Sequence, residues 1–166
     1  MYLRIISLLL LVLVTILSCT KPPTYPDSPI ISEPSFNQQE IEQGNTVEKA
    51  DTLELFFAFT DGDGNLGSEG DSLDVYLTDS RTGFVNLFKL PFVPELGSGN
   101  GISGVVTVRM SNTPANICCI HPVSLQACQP FPDYPMDTVS YTIQIRDRDG
   151  NFSNKIQSET ISIICN

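Results

Sequence analysis

Tryptophan is absent from this 166-residue chain, histidine occurs once, and nine Lys and Arg face nineteen Asp and Glu. The lack of indoles argues against a sugar platform of exposed Trp rings. A formal net charge of −10 repels nucleic acid, whose binding rests on cationic contacts to phosphate. After Leu17 there is no second apolar run long enough to span a membrane, and no convincing amphipathic helix. Neither G-x-S-x-G nor a phosphate-binding Gly loop opening a helix is found. The lone His121, in CCIHPVSLQAC, reads as a surface or packing residue rather than a catalyst.

What is present begins with MYLRIISLLLLVLVTILSC. Arg4 supplies a positive start, Ile5 to Leu17 an apolar stretch, and Ser18 a small residue before Cys19, the order of a processing signal. The apolar stretch is shorter than the roughly 20 residues of a spanning helix. Ile16-Leu17-Ser18-Cys19 resembles the lipobox of bacterial lipoproteins. That resemblance implies removal of residues 1–18 as signal peptide and acylation of Cys19, whose two or more chains, palmitate among them, hold durably to a membrane. Losing Arg4 takes the net charge of the mature chain to −11. Thr20 and Lys21 lack the acidic run that resembles a surface-export signal, which favours the periplasmic face of the outer membrane over the cell surface. Residues 19–35 carry five prolines and read as a lipidated, semi-rigid tether, with residues 36–166 as one domain.

Outside the cytoplasm, Cys118, Cys119, Cys128 and Cys165 are expected to form two disulfides. Adjacent cysteines rarely bridge each other, so one of Cys118 and Cys119 should take Cys128 and the other Cys165, in either arrangement. The rival is a zinc site of Cys118, Cys119, His121 and Cys128, which lacks the usual spacer between paired cysteines.

Alternation of apolar residues dominates the remainder. Leu53, Leu55, Phe57 and Phe59 form one run and Leu73, Val75 and Leu77 the next; further strands are expected at 84–90, 102–110, 139–145 and 152–163, the last with a slip that suggests a bulge. A short strand around Ile30 and Ile31 brings the count to about seven. With turns at DGDGN, SRTG, GSGNG and DRDGN, the expectation is an all-β, immunoglobulin-like Greek-key sandwich.

Residues 51–65, DTLELFFAFTDGDGN, and 137–151, DTVSYTIQIRDRDGN, repeat one register at an offset of 86. As equivalent strands in opposite sheets they would bring their acidic loops to one end. Asp61, Asp63, Asn65, Glu69 and Asp71 offer oxygens at calcium-loop spacing, joined by Asp147, Asp149 and Asn151 from the second copy. The segment DGDGNLGSEGDS departs from an EF-hand, with Leu66 where Gly makes the turn and Ser72 where the bidentate Glu belongs. The competing explanation is turn formation alone, because Asp-Gly and Gly-Asn suit hairpins. Asp51-Thr52-Leu53, Asp71-Ser72-Leu73 and Asp137-Thr138-Val139 also resemble the Asp-Ser/Thr-apolar acceptor of bacterial O-glycosylation.

Taken together, the lipobox, KPPTYPDSP, FTDGDGNLG, TDSRTG, the Cys-Cys loop and RDRDGNFSN resemble a group of Bacteroidota-type lipoproteins with an immunoglobulin-like domain. The resemblance implies an address and a fold and carries no activity. The expected role is a non-enzymatic, membrane-anchored binding or scaffolding module for an envelope protein or glycan, with loops 61–71, 112–135 and 147–151 as contact surfaces. The alternatives are a calcium-stapled structural domain and an envelope hydrolase using acidic loop residues.

Overall fold

A computed structural model describes residues 23–44, 51–94, 101–113 and 116–165. The signal segment, Cys19 and the start of the tether lie outside the described residues. Alternating side chains make strands here because successive Cβ atoms point to opposite faces, so every second residue reaches the core. The strands are β1 (Ile30–Phe36), β2 (Glu40–Glu42), β3 (Thr52–Asp61), β4 (Val75–Asp79), β5 (Val85–Phe88), β6 (Ile102–Ser111), β7 (Met136–Val139), β8 (Tyr141–Ile145), β9 (Ile156–Gln157) and β10 (Ile161–Ile164). No helix occurs among the described residues, and the fold is all-β and sandwich-like.

One layer has the order β1-β3-β6; the other comprises the sheets β5-β4-β8-β9 and β2-β10-β7. Those two sheets join through shared chain, since β7 and β8 are one strand direction parted only at Ser140. Their partners β9 and β10 are parted by three residues, and the register shifts there by one: Ile143 faces Ile156, whereas Val139 faces Ile161. This is the bulge that the slipping alternation foreshadows. Ten segments therefore stand where about seven strands are expected, because two strands are each divided and β2 adds a short parallel edge on β10.

Leu53, Leu55 and Phe57 of β3 and Val108 and Met110 of β6 meet Val75, Leu77, Val139, Tyr141, Ile143, Ile145, Ile161 and Ile163 in one continuous core. Leu73 lies outside β4 and is exposed, as is Phe84 before β5. The tether boundary at residue 35 is corrected: Ile30–Phe36 pair with β3 as β1. Ile31 is buried, and both its backbone groups bond Asn154, at 2.8 and 2.9 Å. A register shift between Ser32 and Ser35 accommodates Pro34, which is why proline there is compatible with a strand.

Cys118 bonds Cys128 and Cys119 bonds Cys165, which selects one of the two arrangements and corrects the zinc alternative, because no thiolate remains to ligate. The second bridge pins the loop after β6 to the end of β10. Both Asp-Thr pairs open strands in the same way: the Asp51 and Asp137 carboxylates each accept the N–H of the following Thr, at 2.7 Å.

Candidate metal centre

The period that buries Leu53, Leu55 and Phe57 also turns Asp61 inward at the end of β3, where it is 0 % exposed. On the facing layer the period through Tyr141, Ile143 and Ile145 does the same to Asp147, 3 % exposed. Two copies of one sequence pattern thus deliver two carboxylates to one end of the core from opposite sides. Oxygens of Asp61, Asp63 and Asp147 lie within 4.8 Å of one another.

The first loop is curled by its own side chains. Asn65 donates its backbone N–H to Asp61 Oδ2 at 3.0 Å and its Nδ2 to Asp63 Oδ2 at 2.8 Å. Gly64 takes the left-handed φ of 71° that this curl requires. In the second loop Asn151 gives Asp147 its backbone N–H at 2.7 Å and its Nδ2 at 2.8 Å. The loops are tied together by Arg148, whose N–H reaches Asn65 O at 3.2 Å and whose Nη1 bonds the carbonyls of Leu66, Gly67 and Val93.

Three buried side-chain oxygens of the first loop accept no hydrogen bond among the described residues: Oδ1 of Asp61, of Asp63 and of Asn65. Buried acceptors are rarely left so, because each forfeits its water without replacement. Burial pushes the Asp61 carboxyl up to about 6, with the charges of Asp63 and Asp147 adding to the shift and the Asn65 N–H opposing it. Asp63 is raised as well, by burial and by the charges of Asp147, Asp149 and Asp27, against the Asn65 N–H. A cation relieves both costs at once. Donors on opposite sides of a calcium ion at 2.3–2.6 Å stand about 5 Å apart, the span of this cluster. The donors are all oxygen, which suits calcium or magnesium rather than a softer metal.

The eight residues expected to serve this loop pair divide. Asp61, Asp63 and Asp147 converge, Asn65 holds the first two through its N–H and Nδ2, Asn151 orients Asp147 from an exposed position, and exposed Asp149 acts on Asp63 through its charge. Glu69 and Asp71 are exposed and outside the cluster. Leu66 explains their absence: it is 2 % exposed, and by entering the core it carries the following chain away from the oxygens. Sequence reasoning misses Asp27 in the Pro-rich segment, which is exposed and outside the cluster but whose charge adds to the upward shift of Asp63. It also misses Asp74, a buried carboxylate that accepts the Ser72 hydroxyl and leaves Oδ2 unbonded.

His121 lies at the other end. Its Nδ1 accepts the N–H groups of Val123 and Ser124, its Nε2 faces Asp133 at 3.4 Å, and its ring packs on Phe131 and Tyr134. That is a turn-holding role. Of the three loops expected as contact surfaces, 61–71 and 147–151 share the acidic end, and 112–135 holds the opposite one. Comparison with protein-family models, curated proteins and solved structures returned no match.

Proposed function

We propose that this protein is a calcium-stapled, non-enzymatic binding or scaffolding module of the bacterial cell envelope. In this reading the domain is immunoglobulin-like, acylated at Cys19 and held to the periplasmic face of the outer membrane. Two disulfides favour an oxidising compartment, in keeping with that address. The observation that carries the calcium reading is the set of three buried oxygens without donors, on residues Asp61, Asp63 and Asn65, beside Asp147. The ion would join the two layers where their loops meet.

Asp61 argues against the hydrolase alternative. A carboxyl titrating near 6 suits a general acid, but a general acid must come within hydrogen-bond reach of its substrate. Asp61 is wholly buried, which favours contact with a small ion over contact with a bound molecule.

The test is thermal and chemical unfolding of the mature chain with calcium and with chelator. Calcium at a hundredfold over its dissociation constant adds about 2.7 kcal/mol. Asp61→Ala and Asp63→Ala should each abolish that increment, and an unchanged melt of the parent with calcium would reject the reading.

A further inference from the structure

The metal centre has a third wall, which arrives from the direction of the anchor. Gly62, between the two first-loop aspartates, donates its N–H to the Pro26 carbonyl at 2.7 Å. The approach is so close that a Cβ on Gly62 would stand 2.3 Å from Tyr25 O and 2.6 Å from Pro26 O. Across the gap, a Cβ on Gly101 would stand 2.7 Å from the Tyr25 ring. Gly62, which meets backbone atoms, therefore requires glycine for the segment to lie where it does, and Gly101 leaves room for the Tyr25 ring. Asp27 follows at once, and its charge is felt by Asp63. Farther along, the two bonds between Asn154 and Ile31 fasten the chain to the sandwich.

We infer that the cation site and the segment 25–27 form one calcium-dependent unit, so that the ion sets whether the chain before β1 is docked on the acidic loop. This rests on the calcium reading above. Without the ion, the carboxylates of Asp61, Asp63 and Asp147 repel one another, with Asp27 adding to the repulsion at Asp63, and the loop that holds Pro26 through Gly62 is free to open. With it, the orphaned Oδ1 atoms of Asp61 and Asn65, on side chains 0 % and 5 % exposed, gain a partner, and the curl presenting the Gly62 N–H is fixed. The membrane-side chain then docks on the loop. Calcium thus fixes residues 25–27 on the acidic end and leaves the disulfide-stapled loop at the far end unaltered.

Hydrogen exchange of the whole mature chain, in calcium chloride and in chelator, tests this. Calcium should slow exchange at Gly62 and Asn65 at least tenfold, and should slow proteolytic cleavage within residues 23–29 to a similar degree. Gly62→Ala, whose methyl group displaces Tyr25 and Pro26, should still gain stability from calcium while losing the protection of 23–29. Asp27→Asn, at an exposed position, covers the case in which Gly62→Ala does not fold; it should change calcium affinity by about two- to fivefold without unfolding the domain. A calcium-induced rise in stability with unchanged exchange and cleavage of 23–29 would overturn the coupling and leave the metal site standing. No rise at all would overturn both.

Discussion

At the disulfide end of the sandwich Asp79 and Asp137 share the guanidinium of Arg81, at 2.6 Å each, whereas at the other end Asp61, Asp63 and Asp147 crowd together with three oxygens unbonded. Asp79, Asp137, Asp61 and Asp147 are buried, Arg81 and Asp63 half-buried, and both clusters flank the same repeated strand pattern. Around Asp137 the donors are complete: Arg81, the N–H groups of Ile120 and Thr138, and the Tyr134 hydroxyl. Burial pushes the Asp137 carboxyl up, but the Ile120 N–H and Arg81 outweigh it and hold the group below its ordinary value. At Asp61 burial and neighbouring carboxylates act in the same direction, and the single Asn65 N–H cannot offset them. A buried acid is at home only where its charge is answered. One end answers it with a side chain; the other has no cationic side chain within the cluster.

The sharpest way to break this contrast is to remove the internal cation. Arg81→Met should leave Asp79 and Asp137 buried and facing each other, costing about 3–5 kcal/mol at neutral pH. Urea unfolding checks it through the midpoint, with the slope unchanged if the native fold persists. A loss below about 1 kcal/mol would mean that the two ends are less different than their geometry.

A smaller effect follows from titration in chelator. The folded-state value of Asp61 lies above its ordinary 3.8, at about 6, so between these values the folded chain holds a proton that the unfolded chain has released. Stability from this group therefore falls as pH rises from about 4 to about 6, by up to about 1.4 kcal/mol per pH unit. Asp137 has the opposite sign: its folded value is depressed, so its contribution is present above its ordinary 3.8 and is lost as pH falls through the folded value. The calcium-free protein should thus melt highest near pH 4–5. Asp61→Asn should flatten the descent toward neutrality, and calcium should do the same in the parent. A melting temperature that climbs steadily from pH 4 to 7 in chelator would count against the unanswered end.

The strands and the meeting of the two acidic loops are legible in the sequence for one physical reason. Period two fixes which side chains enter the core, and a repeat in the same register places Asp61 and Asp147 at equivalent strand ends. What escapes is whatever depends on proximity without periodicity. Arg81 lies in TDSRTG, a turn by every local criterion, and only the fold brings it to Asp137, 56 residues away. Asp27 stands among prolines that signal a tether, although the chain there already packs on Gly62. Glu69 and Asp71 look as suitable as Asp63 until Leu66 enters the core and draws the chain aside. The choice between disulfide arrangements also depended on the fold, because both satisfy the rule that adjacent cysteines part.

The mildest test uses the repeat itself. Asp51 and Asp137 occupy equivalent positions, and each accepts the N–H of the next Thr at 2.7 Å. Asp51 is exposed, and its other oxygen meets only the side chain of Gln38, at 3.0 Å among the described residues. Asp51→Ala should therefore cost about 0.5–1.5 kcal/mol, the worth of an ordinary hydrogen bond in contact with water. Asp137→Ala removes the same bond and also takes an acceptor from Arg81 Nη1, the Ile120 N–H and the Tyr134 hydroxyl, so its cost should exceed that of Asp51→Ala several-fold. Because the local bond is common to both, the difference measures what burial and the guanidinium add, and equal losses would assign the stability of that end to strand opening alone.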